Sequence, residues 1–335
     1  MTYSLLYAAR PRMSVVTIFY FFPILSQGLP MQTSIDRPRS AQLAVTDNEP
    51  RVIALGKAIG AEVTGVDVGA GIDEAAMNVV RDALNRHSVI VLRDQHLSPT
   101  DQIAFSKRLG EIRTSFYNRY SVPGNPELSV VSNIMQDGEA IGIADAGMLW
   151  HTDGSYLKAP DMYTILYGIE IPHRDGKPIG DTIFSSAWAA YEALPEATKK
   201  AIAGLRATHS FTDHLEKKKK AKNLKRAPLT EAQKAELPDV DHPIVRTHPI
   251  TGRACLFVTE GHTSSIVGLE SDPSDALLKD LWDQIRKPEF QYRHSWKKGD
   301  LLIWDNCAVQ HLAVFDYGDT PRRLHRAGVH GSVPD

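Results

Sequence analysis

From Glu127 onward the chain consists of short β-prone runs joined by turn-rich segments, most of them too brief to hold a helix. The runs are Leu128–Val131, Met162–Ile171, Thr182–Phe184, Arg206–Phe211, His242–His248, Ala254–Val258, Phe290–Trp296, Leu301–Trp304 and Leu324–Val329. Such runs, bounded by Gly, Pro, Asn, Asp or Ser, read as strands. A parallel sheet needs a crossover of a dozen or more residues between successive strands, normally a helix. These joints argue instead for a mainly β fold with flanking helices, a jelly roll or barrel. Pro249-Ile250-Thr251-Gly252 and Lys297-Lys298-Gly299-Asp300 have the composition of hairpin connections between pairs of runs.

Helices are expected at the front and in two insertions. Glu62–Val68 reads as a strand, Asp73–Asn85 carries apolar residues at helical spacing, and Ser88–Leu92 is a second strand. Ser98, Pro99 and Asp101 then supply an N-cap, an N1 proline and an acidic N3 partner, with Gly110 closing the helix after Leu109. These early elements read as packing laid against a barrel. Ser186–Leu205 fits two short helices split at Pro195, and Ser271–Arg286 places Leu277, Leu278, Leu281, Trp282 and Ile285 on one face. The run Lys217-Lys218-Lys219-Lys220-Ala221-Lys222 between His214 and His242 reads as a solvated, mobile connection, with an active-site lid as a further use. No aromatics interleave it, so it is a poor nucleic-acid patch.

The N-terminal stretch stands apart. Met13–Leu25 is apolar behind Arg10 and Arg12, like a signal peptide, yet it is too short to span a bilayer, Pro23 interrupts it and Ser26-Gln27-Gly28 is a poor cleavage site. Residues 1–50 are therefore expected to be a disordered extension, the first 30 from an upstream start, and residues 51–335 one domain. Secretion is the alternative to a cytoplasmic location. Two cysteines, Cys255 and Cys307, cannot build a disulfide framework and suit a reducing compartment. A formal charge of −2 and a pI near 6.7 mark no nucleic-acid or membrane-surface binder. The expected partner is a small molecule, with homo-oligomerisation left open.

Candidate chemistry starts at Met148–Tyr156, where His151 and Asp153 are two residues apart at the end of a plausible strand, so that both side chains face one way. With 13 histidines and 40 acidic residues in 335, chance supplies about one or two His-x-acid triplets. The chain has three; His173-Arg174-Asp175 lies in a turn and His214-Leu215-Glu216 opens the charged run, so both read as surface. The best third ligand is His311, and two histidines with one carboxylate form the facial triad that holds non-haem Fe(II).

His151-Thr152-Asp153, Gly180-Asp181-Thr182, Trp304-Asp305-Asn306, His311 and Arg322-Arg323-Leu324-His325-Arg326-Ala327 together resemble the taurine and 2,4-dichlorophenoxyacetate dioxygenases, in that family's order and over about Ile53–Val333. The resemblance implies a double-stranded β-helix (jelly roll) and an Fe(2+)- and 2-oxoglutarate-dependent reaction with O2. It assigns His151, Asp153 and His311 to the metal, Thr182 and Arg322 to the far carboxylate of 2-oxoglutarate, and Arg326 to the substrate anion. Guanidinium gripping carboxylate in two places suits the arginine roles. Trp304, Asp305 and Asn306 are expected to fix the loop carrying His311, and Arg323 and His325 to be structural. A small anionic substrate follows: a sulfonate, a sulfate ester or an aryloxyalkanoate. Arg113, Phe116, Tyr117, Arg119 and Tyr120 would lie near the pocket mouth. The sulfonate-binding His of the taurine branch has no evident match there, while His242–His248 and Tyr292–Trp296 resemble the aryloxyalkanoate branch more closely. A metal-holding barrel without catalysis is the rival reading.

Overall fold

A computed structural model describes residues 49–114, 118–222 and 230–335. The expectation for residues 1–30, and Phe116 and Tyr117 of the basic-aromatic segment, lie outside the described residues. Strands β1 (Arg51–Ala54), β2 (Ala61–Thr64), β3 (Val89–Leu92), β4 (Ile112–Arg113), β5 (Ser121–Val122) and β6 (Asn125–Ser132) precede a small hairpin of β7 (Met135–Gln136) and β8 (Glu139–Ala140). Next come β9 (Asp161–Glu170), the hairpin β10 (His173–Arg174) and β11 (Lys177–Pro178), and β12 (Thr182–Ser186). The remainder are β13 (Arg206–His209), β14 (Val240–Pro243), β15 (Val245–Thr247), β16 (Ala254–Leu256), β17 (Thr263–Ile266), β18 (Gln291–His294), β19 (Leu301–Asp305), β20 (Val309–Ala313) and β21 (Arg323–His330). The chain is thus mainly β with flanking helices.

The largest sheet runs β1-β2-β3-β19-β9-β21-β6-β5, with β4 added alongside β21. β1, β2 and β3 belong to this sheet, a correction to their reading as separate packing elements. Helix α1 (Glu74–His87) links β2 to the parallel β3, and Asp73 caps it by accepting from the Ala76 amide. Helix α2 (Pro99–Lys107) carries the expected capping box, Ser98 with Asp101, but ends two residues early, before Arg108. A face of the main sheet packs with these helices through Ile90, Leu92, Ile165, Leu301, Ile303 and Val329 against Met77, Val80, Leu84 and Phe105.

The opposite face meets a three-stranded sheet, β18-β12-β20. Val89, Val91, Leu166, Leu302, Trp304 and Leu324 from the main sheet pack with Phe184, Trp296 and Val309. Because side chains alternate along a strand, Thr164 shares this inner face with Leu166, and Arg326 with Leu324. Burying both faces explains why β3 and β19 are continuous apolar runs rather than alternating ones.

Two further readings need correction. Lys297–Asp300 is no hairpin: β18 pairs with β12 and β19 pairs with β3 and β9, so this turn carries the chain from one sheet to the other. Pro249–Gly252 does join an antiparallel pair, β15 and β16, with Gly252 at a φ of 70°. The Lys-rich run is a helix through residue 222, α5 (Phe211–Lys222), following α3 (Ala187–Glu192) and α4 (Glu196–Ile202). Helix α6 (Glu231–Glu236) and the amphipathic α7 (Ser271–Ile285) complete the set, α7 burying Leu278, Leu281 and Ile285.

Candidate metal centre and cavity

The segment bearing His151 is not a strand. It is tied to β20 by a single two-way bridge, His151 N donating to His311 O at 3.1 Å and His311 N to His151 O at 2.9 Å. After the bridge the chain turns through Gly154, at a φ of 68°. Thr152 Oγ1 donates to Val309 O at 3.2 Å and the Asp153 amide to Asn306 Oδ1 at 3.3 Å. His311 stands on β20, not on a loop. Turn and strand are thus cross-linked.

His151, Asp153 and His311 offer ligand atoms all within 4.8 Å of one another, the one such group of three or more His, Cys, Asp or Glu among the described residues. His151 Nδ1 is occupied by Leu149 O at 2.8 Å, leaving Nε2 to face Asp153 Oδ1 at 3.6 Å. His311 Nε2 lies 3.9 Å from Asp153 Oδ2. Burial, with His151 alongside, pushes the His311 imidazole down to about 3, so at neutral pH its lone pair is available. Burial alone would raise the Asp153 carboxyl, but Arg326, His311 and His151 hold it well below the usual carboxylate range. A neutral imidazole at His311 and an ionised carboxylate at Asp153 are protonation states that suit a divalent metal.

Asp153 is held by more than its neighbours in sequence. Thr164 Oγ1 donates to Oδ2 at 2.7 Å and itself accepts from Asn306 Nδ2 at 3.0 Å, while Trp304 Nε1 donates to Asn306 Oδ1 at 3.0 Å. Trp304 and Asn306 therefore brace the carboxylate. Asp305 is engaged differently: His248 Nε2 meets its Oδ2 at 2.6 Å and Cys307 N donates to Oδ1 at 2.8 Å, which fixes the turn into β20.

Arg326 Nη2 lies 3.3 Å from Asp153 Oδ2 and 3.0 Å from Asp161 Oδ2. It faces a cavity of about 550 Å³ that is also lined by His151, Asp153, Tyr156, Phe211, Tyr120 and Arg113. Arg119 does not line it; this side chain is exposed and lies over the Tyr120 ring.

Thr182 and Arg322 are buried and share Trp296. Its Nε1 donates to Thr182 Oγ1 at 3.0 Å, and the Arg322 guanidinium sits 5.9 Å from its ring centroid and 5.5 Å from that of Tyr317. Arg322 Nη2 donates to Gly180 O at 3.2 Å, but Nε makes no hydrogen bond. Burial lowers the pKa of this guanidinium. Neither residue is among the walls of the large cavity.

His173 is exposed, as read from its turn, but His214 is not on the surface. It lines the cavity from α5, its ring 4.3 Å from that of His262, and burial pushes it down to about 3. Lys218, one turn on, is buried and ion-pairs with Asp145 at 2.8 Å. Three other histidines, His262, His294 and His325, stand outside the cluster. His262 Nδ1 meets Ser155 Oγ at 2.9 Å, His294 faces Asp300 at 3.2 Å and His325 lies 3.5 Å from Arg323. Thr164, Asp161 and Lys218 escaped sequence reasoning. Their only local signals, a threonine within a β-run, an aspartate after Pro160 and a lysine among lysines, are ordinary.

Two sheets around a His-Asp-His cluster define a metal-dependent class, and residues 51–327 match the Taurine catabolism dioxygenase TauD, TfdA family. The chain belongs to that family, whose members are oxidoreductases. It is 34% identical to an alpha-ketoglutarate-dependent 2,4-dichlorophenoxyacetate dioxygenase of Burkholderia sp. (strain RASC), over 79% of this chain and 89% of that one. It is 33% identical to an alpha-ketoglutarate-dependent sulfate ester dioxygenase of Pseudomonas putida, over 82% and 88%. A solved taurine dioxygenase from Burkholderia xenovorans superposes with a TM-score of 0.69 at 32% identity, covering 85% of this chain and 90% of its own.

Proposed function

We propose that residues 51–335 form a double-stranded β-helix (jelly-roll) dioxygenase domain, with residues 1–50 as an extension outside it. In this reading the enzyme uses Fe(II), 2-oxoglutarate and O2 to hydroxylate a small organic anion, releasing succinate and CO2. The observation that carries it is the His151-Asp153-His311 cluster opening onto a cavity that Arg326 also lines. Three protein ligands leave coordination positions for a bidentate 2-oxo acid and O2. Bound there, iron supplies oxidative decarboxylation of 2-oxoglutarate coupled to insertion of one oxygen atom into a substrate C–H.

The protein's own part is positioning. His151 and His311 present Nε2, and Thr164 with Arg326 engages Asp153 Oδ2, which leaves Oδ1 for the metal. Arg322, buried and in no ion pair among the described residues, grips the far carboxylate of 2-oxoglutarate, and Thr182 adds a hydroxyl donor. Arg326 orients the substrate anion beside the metal, and Phe211, Tyr156 and Leu157 supply an apolar wall for its body. Hydroxylation next to a heteroatom gives a product that splits, which would free sulfite, sulfate or a phenol. The substrate is a sulfonate, a sulfate ester or an aryloxyalkanoate. Buried, unpaired Cys255 and Cys307 suit a reducing, cytoplasmic setting. No helix among the described residues is long and apolar enough to cross a membrane.

The test is succinate formation by the Fe(II)-loaded chain with 2-oxoglutarate and a panel of taurine, alkyl sulfates and phenoxy acids. At least one anion is expected to stimulate succinate release. Turnover confined to neutral or cationic compounds would contradict an anion contact at Arg326.

A further inference from the structure

Arg113 is the second guanidinium on the wall where Arg326 stands. It lies on β4 directly opposite Gly328 of β21, and Gly328 is two residues beyond Arg326 on the same strand face. Between them sits Asp161, 3% exposed, at the start of β9 opposite His330. Its two oxygens are divided: Arg113 Nε donates to Oδ1 at 2.6 Å and Arg326 Nη2 to Oδ2 at 3.0 Å. Arg113 Nη2 is fixed by Ala159 O at 2.7 Å, while its Nη1 has no hydrogen-bond partner among the described residues. All four residues, Arg113, Asp161, Arg326 and Gly328, line the one cavity.

Gly328 leaves room beside Asp161 and Arg326. A Cβ at this position would lie 2.7 Å from Asp161 Oδ2 and 3.4 Å from Arg326 Nη1. Asp161 can neutralise only one of two guanidinium charges. Its share in two charge-assisted contacts orients both forks without cancelling them. Arg326 also touches Asp153, whose charge the metal takes up in the dioxygenase reading. One positive charge then remains, shared by two guanidinium groups on one cavity wall.

We propose that Arg113 and Arg326 form a two-guanidinium clamp for the substrate's anionic group, held in register by Asp161 and given room by Gly328, so that Arg113 is a specificity-determining residue. The inference rests on the anionic-substrate reading above. Arg113 Nη1 and the Arg326 guanidinium can donate to two oxygens of one sulfonate, sulfate or carboxylate, with the Arg113 plane fixed by its contacts to Asp161 and Ala159. Arg113 thereby selects for charge and for the number of acceptor oxygens.

The test is calorimetric titration of the full chain, with Zn(II) in place of Fe(II) and saturating 2-oxoglutarate, using phenoxyacetate, hexyl sulfate and taurine as probes. The wild type should bind at least one of them. Arg113→Gln should weaken that binding by about tenfold or more while 2-oxoglutarate affinity moves by less than about twofold. Should Arg113→Gln fail to fold, Arg113→Lys is read instead: it keeps the charge but not the fork, and about threefold or more of lost affinity is expected. Unchanged anion affinity in the folded variant overturns the clamp alone. Binding of none of the three probes by the wild type overturns the clamp together with the anionic-substrate reading.

Discussion

Arg322, just before β21, and Arg326, within it, are four residues apart and sit in opposite electrostatic settings. Arg326 has Asp153 and Asp161 against it; burial lowers its pKa, but these two carboxylates more than reverse the effect and raise it. Arg322 is 4% exposed, lies between the Trp296 and Tyr317 rings, has an unbonded Nε and titrates below the usual arginine value through burial. A buried cation lacking a hydrogen-bonded counter-ion costs stability. The cost is recovered when an anion arrives, so Arg322 is the better marker of a ligand carboxylate and Arg326 the better marker of an assembled metal end.

The metal end should fail outright when a ligand is removed. His151→Ala, Asp153→Ala and His311→Ala are each expected to abolish 2-oxoglutarate turnover and stoichiometric metal binding, read by succinate assay and metal analysis. Arg322→Met should raise the 2-oxoglutarate dissociation constant by about two to three orders of magnitude. The same change should leave the ligand-free melting temperature equal or higher, because a buried charge with no ion pair among the described residues is gone. Arg326→Met should do the reverse, costing about 1–3 kcal/mol in the ligand-free protein by taking the guanidinium away from Asp153 and from one oxygen of Asp161. If both variants shifted stability the same way, the contrast between the two arginines would be lost.

His209 extends the contrast to a buried base. Its ring stacks on that of Phe257, and burial, with His242 nearby, pushes it down to about 3. A folded pKa below the unfolded value near 6.5 means that protons favour the unfolded chain. This destabilisation is absent above pH 6.5 and grows by about 1.4 kcal/mol per unit as pH falls toward about 3. Urea denaturation at pH 7 and pH 5 should therefore show about 2 kcal/mol less pH dependence in His209→Leu than in the wild type. Thr164→Val is the gentlest break. It removes the donor to Asp153 Oδ2, at about 1 kcal/mol in stability and about 10- to 100-fold in metal affinity.

Much of the site was legible because its residues sit in separate, ordered motifs. His151, Asp153, His311 and Arg326 lie together in the structure, and Thr182 and Arg322 both meet Trp296. What stayed hidden depends on tertiary contact. β20 was missed because Val309–Ala313 shows no apolar alternation, Val309, Gln310 and His311 all being buried in succession. The polar strand β17, Thr263–Ile266, lacks an apolar stripe because it is held by pairing to β13. The helix α5 disguised itself as a charge run, although Phe211, His214, Leu215 and Lys218 line the cavity. Burial of Lys218 follows from its pairing with Asp145, 73 positions earlier in the chain, which no local pattern encodes. The early strands joined the main sheet through pairing of β3 with β19, again a contact between distant segments.

The account stands most directly on iron and 2-oxoglutarate meeting at His151, Asp153 and His311. The decisive measurement is the visible absorption spectrum after anaerobic addition of Fe(II) and 2-oxoglutarate to the full chain. A metal-to-ligand charge-transfer band is expected in the wild type, weakened in Arg322→Met at limiting 2-oxoglutarate and absent in His311→Ala. A wild type with no band, or a His311→Ala variant with the full band, would contradict it.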